Sequence, residues 1–165
     1  MCAASLVRPP GGMADERGDT PSTIPNRGEL LSPEQNGNYY LPHTTDRGWM
    51  MYRTAPDKVR GIVRFDPETG SETMILPARL SDPSSFTVDN DGEQIVFATP
   101  LTNLTSSGVT HSSDLFSFHL QSQTLERITT TGGLRHPALS GDGQRLFAIR
   151  QEKDAASLVE VDQNI

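Results

Sequence analysis

Short apolar runs alternate with polar turns along the chain, most clearly between Asp114 and Arg150. Each run is short, rich in β-forming residues and bounded by Gly, Ser, Asp or Gln, which is the pattern of strands rather than helices. The predicted strands of this stretch are 115–120, 125–129, 137–139 and 146–149. Because tight turns join them, we expect these four strands to form one small antiparallel sheet.

The same pattern recurs along the chain with a period of about 45 to 50 residues. Residues 91–97 align with residues 142–148, and residues 46–52 form a third, weaker copy in which Arg47 replaces the turn glycine. The next strand also recurs, at 62–66, 115–119 and 158–162. Four strands in about 45 to 50 residues is what one blade of a β-propeller requires.

Two of the repeated strands, 95–98 and 146–149, are apolar at consecutive positions. Successive side chains of a strand point to opposite faces, so such a strand must be covered on both. In the strand at 115–120, Phe116, Phe118 and Leu120 are predicted to face one way and Leu115 the other. The pattern therefore predicts sheets that stack face to face.

Residues 140–147 and 89–97 resemble the Ser-Pro-Asp-Gly-x-x-Ile/Leu-x-Phe signature of TolB-like propeller repeats. Residues 114–129 are similar to the strand pair that completes those repeats, with His119 where the family favours Asp and Leu125 where it favours Gly. The resemblance covers Tyr40 to Asp162. It implies an all-β fold, a partial, WD40-like β-propeller of four-stranded antiparallel blades over residues 39–165.

This stretch has room for about two and a half blades, whereas closed propellers have about four to eight. We therefore expect the chain to be a fragment of a longer propeller protein. The alternative is that another chain closes the open ends. A fragment is favoured because exposed blade faces promote aggregation.

Residues 1–38 are rich in Pro and Gly and lack apolar periodicity, which predicts a disordered tail. Met13 is an alternative start to Met1. Cys2 is the only cysteine, so no internal disulfide is expected. No apolar run is long enough for a membrane helix or a signal peptide, which favours a cytoplasmic protein, or a periplasmic one if a leader is missing.

The net charge of −7 without any block of Lys or Arg argues against nucleic-acid binding. Blade geometry nevertheless predicts two rims of opposite charge. One would carry the acidic turn residues Asp66, Glu68, Asp89, Asp91, Glu93 and Asp142. The other would carry basic loop residues, of which Arg79, His111, Arg135 and His136 are the candidate binding residues, together with Arg53, Lys58 and Arg60.

A basic rim would attract an anionic group of a protein or peptide partner. The alternative interpretation is that these are ordinary solvated side chains. The stretch Thr99–Ser113, which ends beside His111, is predicted to be a long loop and a second place for binding.

The chain contains no Gly-x-Ser-x-Gly or His-Glu-x-x-His motif. Residues 89–92 resemble the start of a calcium loop, but its twelfth position is Pro100 rather than Glu. We therefore expect no cofactor, no metal and no catalytic residue. The expected function is that of a non-catalytic binding module. Two alternatives are the gating propeller of a prolyl-oligopeptidase-like serine peptidase whose catalytic domain follows Ile165, and a propeller lyase acting on acidic sugars.

Overall fold

The computed structural model describes residues 37–106 and 108–162, and these residues form an all-β structure of eleven strands without a helix. No segment of this part is therefore a helix able to cross a membrane. The predicted tail lies outside the described residues except for Gly37 and Asn38. The strands are β1 (Asn38–Thr45), β2 (Gly48–Ala55), β3 (Lys58–Asp66), β4 (Ser71–Pro77), β5 (Phe86–Val88), β6 (Gln94–Thr105), β7 (Gly108–His119), β8 (Thr124–Arg127), β9 (Leu134–Leu139), β10 (Leu146–Gln151) and β11 (Ala156–Val161).

The strands form three antiparallel sheets in which neighbours in the sheet are neighbours in the chain. Sheet A contains β1 to β4, sheet B contains β5 to β8, and sheet C contains β9 to β11. The expected single sheet over residues 115–149 is wrong, because β7 and β8 belong to sheet B whereas β9 and β10 belong to sheet C. Gly132 and Gly133, both with φ of 74°, redirect the chain between the two sheets.

Sheet B lies between the other two sheets, and β6 shows this most clearly. Ile95 and Phe97 pack in a core with Met50, Ile62 and other residues of sheet A. Val96 and Ala98 pack in a second core with residues of sheet C, among them Leu134, Leu146 and Ala148. The prediction that this strand is covered on both faces is confirmed, and so is the alternation along β7, where Phe116 and Phe118 face sheet A and Leu115 faces sheet C.

The predicted turns occur where the sequence places them. In the β3–β4 turn, Asp66 accepts hydrogen bonds from the backbone N–H of Glu68 at 2.9 Å and from the hydroxyl of Thr69 at 2.8 Å. Gly92 and Gly143 hold matching positions in the β5–β6 and β9–β10 turns, each with φ of 70°. This left-handed conformation is one that glycine adopts without steric cost.

A β-bulge interrupts the first strand of two sheets. Leu41 and Pro42 stand opposite the single residue Met51, because the register shifts between Tyr40 and His43. In the same way, His136 and Pro137 in β9 stand opposite one residue of β10. Leu41 and His136 share a φ of 49°, so the two bulges are alike in conformation as well as in register.

The stretch Thr99–Ser113 is not a loop. It forms the outer halves of β6 and β7, which pair in register from Gln94–His119 to Thr105–Gly108. β5 pairs with residues 95–97 and β8 with residues 116–119, so no strand within residues 37–106 and 108–162 pairs with the outer part of this hairpin on either side. Its alternation of Ser and Thr with Leu and Val is compatible with a ladder, so its polarity alone does not indicate a loop.

Asp114 is the main buried charge of sheet B, with 1% of its surface exposed. Its carboxylate forms an ion pair with Arg127 and accepts hydrogen bonds from the hydroxyl of Thr129 at 3.2 Å and the N–H of Gly132 at 2.8 Å. The carboxylate thereby joins β7 to β8 and to the loop that leads into sheet C.

Replacing the two turn glycines by alanine is expected to have unequal effects. A methyl group at Gly92 would lie 3.0 Å from Oγ1 and 3.2 Å from Cβ of Thr45, whereas at Gly143 the nearest atom would be 3.6 Å away. Both variants should lose about 1–2 kcal/mol of unfolding free energy from the left-handed backbone. Gly92→Ala should lose about 1 kcal/mol more from the close contact. Urea unfolding followed by Trp49 fluorescence measures both, and equal losses would contradict this contact between sheets A and B.

Asp114→Asn should destabilise the fold by about 2–3 kcal/mol, because it removes the ion pair and leaves Arg127 without its carboxylate. Glu126→Gln is the matched control, since it removes the same charge from an exposed position of β8. The control should change the unfolding free energy by less than about 0.5 kcal/mol. Similar losses of unfolding free energy in Asp114→Asn and Glu126→Gln would show that the change in net charge, rather than the loss of the Asp114 hydrogen bonds and ion pair, is responsible.

Candidate functional site

The antiparallel order gives the sheets two distinct ends. The β1–β2, β5–β6 and β9–β10 turns lie at one end of the sheets, which we call the turn end. At this end the N–H of Asp46 donates a hydrogen bond to the carbonyl of Asn90 at 3.1 Å. The opposite end, where β5 and β9 begin, we call the His136 end. There the N–H of His136 donates to Oγ of Ser85 at 3.2 Å and so joins sheets B and C.

The four candidate binding residues all lie at the His136 end of the strands or loops that contain them. Arg79 is exposed in the β4–β5 loop, and its carbonyl accepts a hydrogen bond from Thr99 at 2.7 Å. Arg135 and His136 are exposed at the start of β9. His111 lies farther out on the β6–β7 hairpin, with Nδ1 3.4 Å from Oγ1 of Thr102. The structure gives contacts between the β4–β5 loop and His136, and none between His111 and the other three.

His136 lies against the β4–β5 loop. Its Nε2 is 3.5 Å from Oδ2 of Asp82, and its Nδ1 is 3.4 Å from Oγ of Ser84. Both ring nitrogens therefore face oxygen atoms of a single turn. The bulge at His136-Pro137 produces this placement, because its left-handed backbone turns the residue out of the regular ladder.

Asp82 is held by three hydrogen bonds from its own turn: the N–H of Ser84 at 2.9 Å, the hydroxyl of Ser84 at 2.6 Å and that of Ser85 at 2.8 Å. Partial burial alone would raise the pKa of Asp82. The bonds from Ser84 and Ser85, with a smaller effect of the His136 ring, outweigh burial and lower the pKa below its ordinary value of 3.8. Asp82 is therefore ionised at neutral pH.

The side chains of Ser84, His136 and Asp82 are of the three types that form a hydrolase triad, but their hydrogen bonds differ from those of a triad. In a triad the base accepts the hydroxyl hydrogen of the nucleophile. Here Ser84 donates that hydrogen to Asp82 at 2.6 Å, while its distance to His136 is 3.4 Å. The arrangement joins two sheets and leaves the His136 side chain 46% exposed to solvent.

The two ends are less clearly divided into an acidic and a basic one than the sequence predicts. Arg53, assigned there to a basic loop, lies in β2 and is buried in an ion pair with Glu72. At the turn end Arg47 pairs with Glu93. Carboxylates also occur at the His136 end, at Asp57, Asp82, Glu152 and Asp154.

Sequence reasoning missed Asp82, Ser84 and Ser85. Two signals could have found them. Asp-Pro-Ser-Ser is a sequence in which an aspartate accepts hydrogen bonds from the residues that follow it. Pro137 within a predicted strand indicates a bulge, since proline cannot donate to a ladder. Together they predict a compact turn and an irregular strand, although their proximity depends on the packing of sheets B and C.

Among residues 37–106 and 108–162, no group of three or more His, Cys, Asp or Glu side chains is placed to hold a metal ion. Comparison of the chain with protein-family models and with curated proteins gives no match.

Acidification should weaken the contribution of Asp82 to stability. Because its pKa is lower in the folded than in the unfolded protein, the ionised carboxylate stabilises the fold above pH 3.8, and this contribution is lost as the pH falls below 3.8. Asp82→Asn should therefore cost about 1 kcal/mol at pH 7, after allowance for solvent screening, and less at pH 2.5.

Urea unfolding at pH 7, 5 and 2.5 measures this difference. Asp57→Asn, at an exposed turn of the same end, is the matched control and should change stability little at each pH. A difference between Asp82→Asn and wild type that stays constant down to pH 2.5 would contradict the assignment.

Proposed function

We propose that this chain is part of a TolB-like β-propeller and acts as a non-catalytic binding module for an anionic group of a protein or peptide. The observation that carries the proposal is the position of Arg79, Arg135 and His136 at one end of two adjoining sheets. Arginine side chains at the same end of a rigid scaffold favour carboxylate or phosphate groups.

The packing of the first strands supports the propeller. In a propeller the first strand of every blade lies nearest the central axis, so first strands of adjoining blades are neighbours. β5 and β9 are in contact, since Leu139 donates its N–H to Oγ1 of Thr87 at 3.4 Å. β1 and β5 are in contact through the rings of His43 and Phe86, whose centroids are 4.9 Å apart.

The repeated bulge supports it further. Leu41-Pro42 and His136-Pro137 occupy the same place in β1 and β9, with the same register shift and the same φ. Repeats that share an irregularity as well as their regular strands are most simply explained as copies of one structural unit.

Binding of an acidic probe tests the proposal. Fluorescein-labelled hexaglutamate should bind the chain with an affinity that falls as ionic strength rises. The double variant Arg135→Ala/His136→Asn should weaken it roughly three- to tenfold, since it removes the guanidinium of Arg135 and the imidazole of His136 from the site. Asparagine is chosen because it tolerates the left-handed backbone that His136 adopts.

Arg145→Ala is the matched control, since Arg145 is exposed beside the β9–β10 turn and paired with Glu160 at 2.9 Å. It removes a positive charge from the turn end and should leave binding unchanged. An unchanged affinity in the double variant, or equal losses in both, would assign Arg135 and His136 to the ordinary solvated surface.

A further inference from the structure

His43 is a titratable side chain at the contact between sheets A and B. It is the first residue after the bulge of β1, and it lies opposite Met50 of β2, which belongs to the core between these sheets. Its ring meets the ring of Phe86 in β5 edge to face, with the centroids 4.9 Å apart. The contact therefore joins the first strands of two sheets, β1 and β5.

One nitrogen of the His43 ring has no hydrogen-bond partner. Nε2 is buried, and no residue of the described part of the chain forms a hydrogen bond with it. A neutral imidazole tolerates this place, because one of its two nitrogens carries only a lone pair. In the protonated ring both nitrogens carry a hydrogen, so Nε2 would be a buried donor of a charged group without an acceptor. Such a donor costs more free energy than a lone pair without a partner.

The surroundings of His43 do not compensate a positive charge. The strands in contact with β1 are β2 and β5. Burial lowers the pKa of His43, with a smaller opposing effect of the Phe86 backbone, and no charged side chain of the described residues contributes to the shift. The titratable side chains beside the core between the sheets are Tyr40 and Tyr52, and those of the two adjoining turns are Asp46, Arg47, Asp89, Asp91 and Glu93.

We propose that His43 is an acid-sensitive joint: uptake of a proton from solvent by its ring weakens the contact of β1 with β5 and loosens sheet A from sheet B. The neutral ring stabilises the fold fully above pH 6.5, the ordinary pKa of histidine, and this contribution is lost as the pH falls below 6.5. The contribution of Asp82 is lost only below pH 3.8, so the two titrations are separable. The joint is separate from Arg135 and His136, so this proposal and the proposed function fail independently.

Urea unfolding at pH 7.5, 6.5, 5.5 and 5.0, followed by Trp49 fluorescence, tests the proposal. His43→Phe keeps an aromatic ring against Phe86 but cannot take up a proton. Between pH 7.5 and 5.0 the unfolding equilibrium constant of the wild type should rise at least about threefold more than that of the variant. His111→Gln is the matched control, since it removes an exposed histidine of β7, and it should follow the wild type. His43→Gln provides the same comparison if His43→Phe does not fold.

Amide hydrogen exchange, corrected for its intrinsic pH dependence, locates the loosening. The N–H of Asp46 donates to Asn90 between sheets A and B at 3.1 Å, and that of Leu139 donates to Thr87 between sheets B and C at 3.4 Å. From pH 7.5 to 5.0 the protection of Asp46 should fall at least about threefold in the wild type and stay constant in His43→Phe. The protection of Leu139 should stay constant in both proteins. Equal pH dependence of unfolding in wild type and His43→Phe, or equal loss of protection at Asp46 and Leu139, would overturn the proposal.

Discussion

The structure depends on covering both faces of β6, the second strand of sheet B. In β6 the consecutive side chains Ile95, Val96, Phe97 and Ala98 have at most 4% of their surface exposed, and they are buried alternately against sheets A and C. Burying such a side chain contributes roughly 1.5–3 kcal/mol for Val, Leu, Ile or Phe. Sheet B therefore derives much of its stability from its neighbours. In β10, by contrast, Leu146 and Ala148 are buried against sheet B, while Phe147 and Ile149 on the other face are only partly buried.

Stacking of the sheets also creates the candidate site. When sheet C packs on sheet B, the start of β9 lies beside the loop that leads into β5. The backbone of His136 then reaches Ser85 at 3.2 Å, and its ring reaches Asp82 at 3.5 Å. Neither sheet alone contains this cluster. Packing of sheet A on the other side of sheet B places the His43 ring against Phe86, where burial lowers the pKa of His43, with a smaller opposing effect of the Phe86 backbone.

Local sequence predicted the strands and turns well because their causes are local. Alternation, consecutive apolar residues and Asp-Gly pairs each act within a few residues, and β8 to β11 and the inner half of β7 overlap the predicted strands. The errors concern features that packing decides. Thr99–Ser113 resembles a loop in composition but pairs as a hairpin. Arg53 is buried because Glu72 on β4 forms an ion pair with it. The division of 115–149 between two sheets likewise depends on long-range contacts.

The candidate site needs both kinds of information. Arg79, Arg135 and His136 were identifiable as basic residues in loops or at strand starts, whereas the carboxylate neighbour of His136 was not, because Asp82 is 54 positions before His136 and is brought to it by sheet packing.

Local charge, rather than the net charge of −7, governs what this end of the sheets can bind. At physiological salt, charges farther apart than about 8 Å are largely screened, so the carboxylates of the turn end have little effect at the His136 end. Asp82 remains ionised because its pKa is lowered, and it offsets one positive charge there. The arginines keep their charge at all physiological pH values whatever the state of His136. Attraction of an acidic partner would therefore come mainly from Arg79 and Arg135, while His136 positions the loop that carries Asp82.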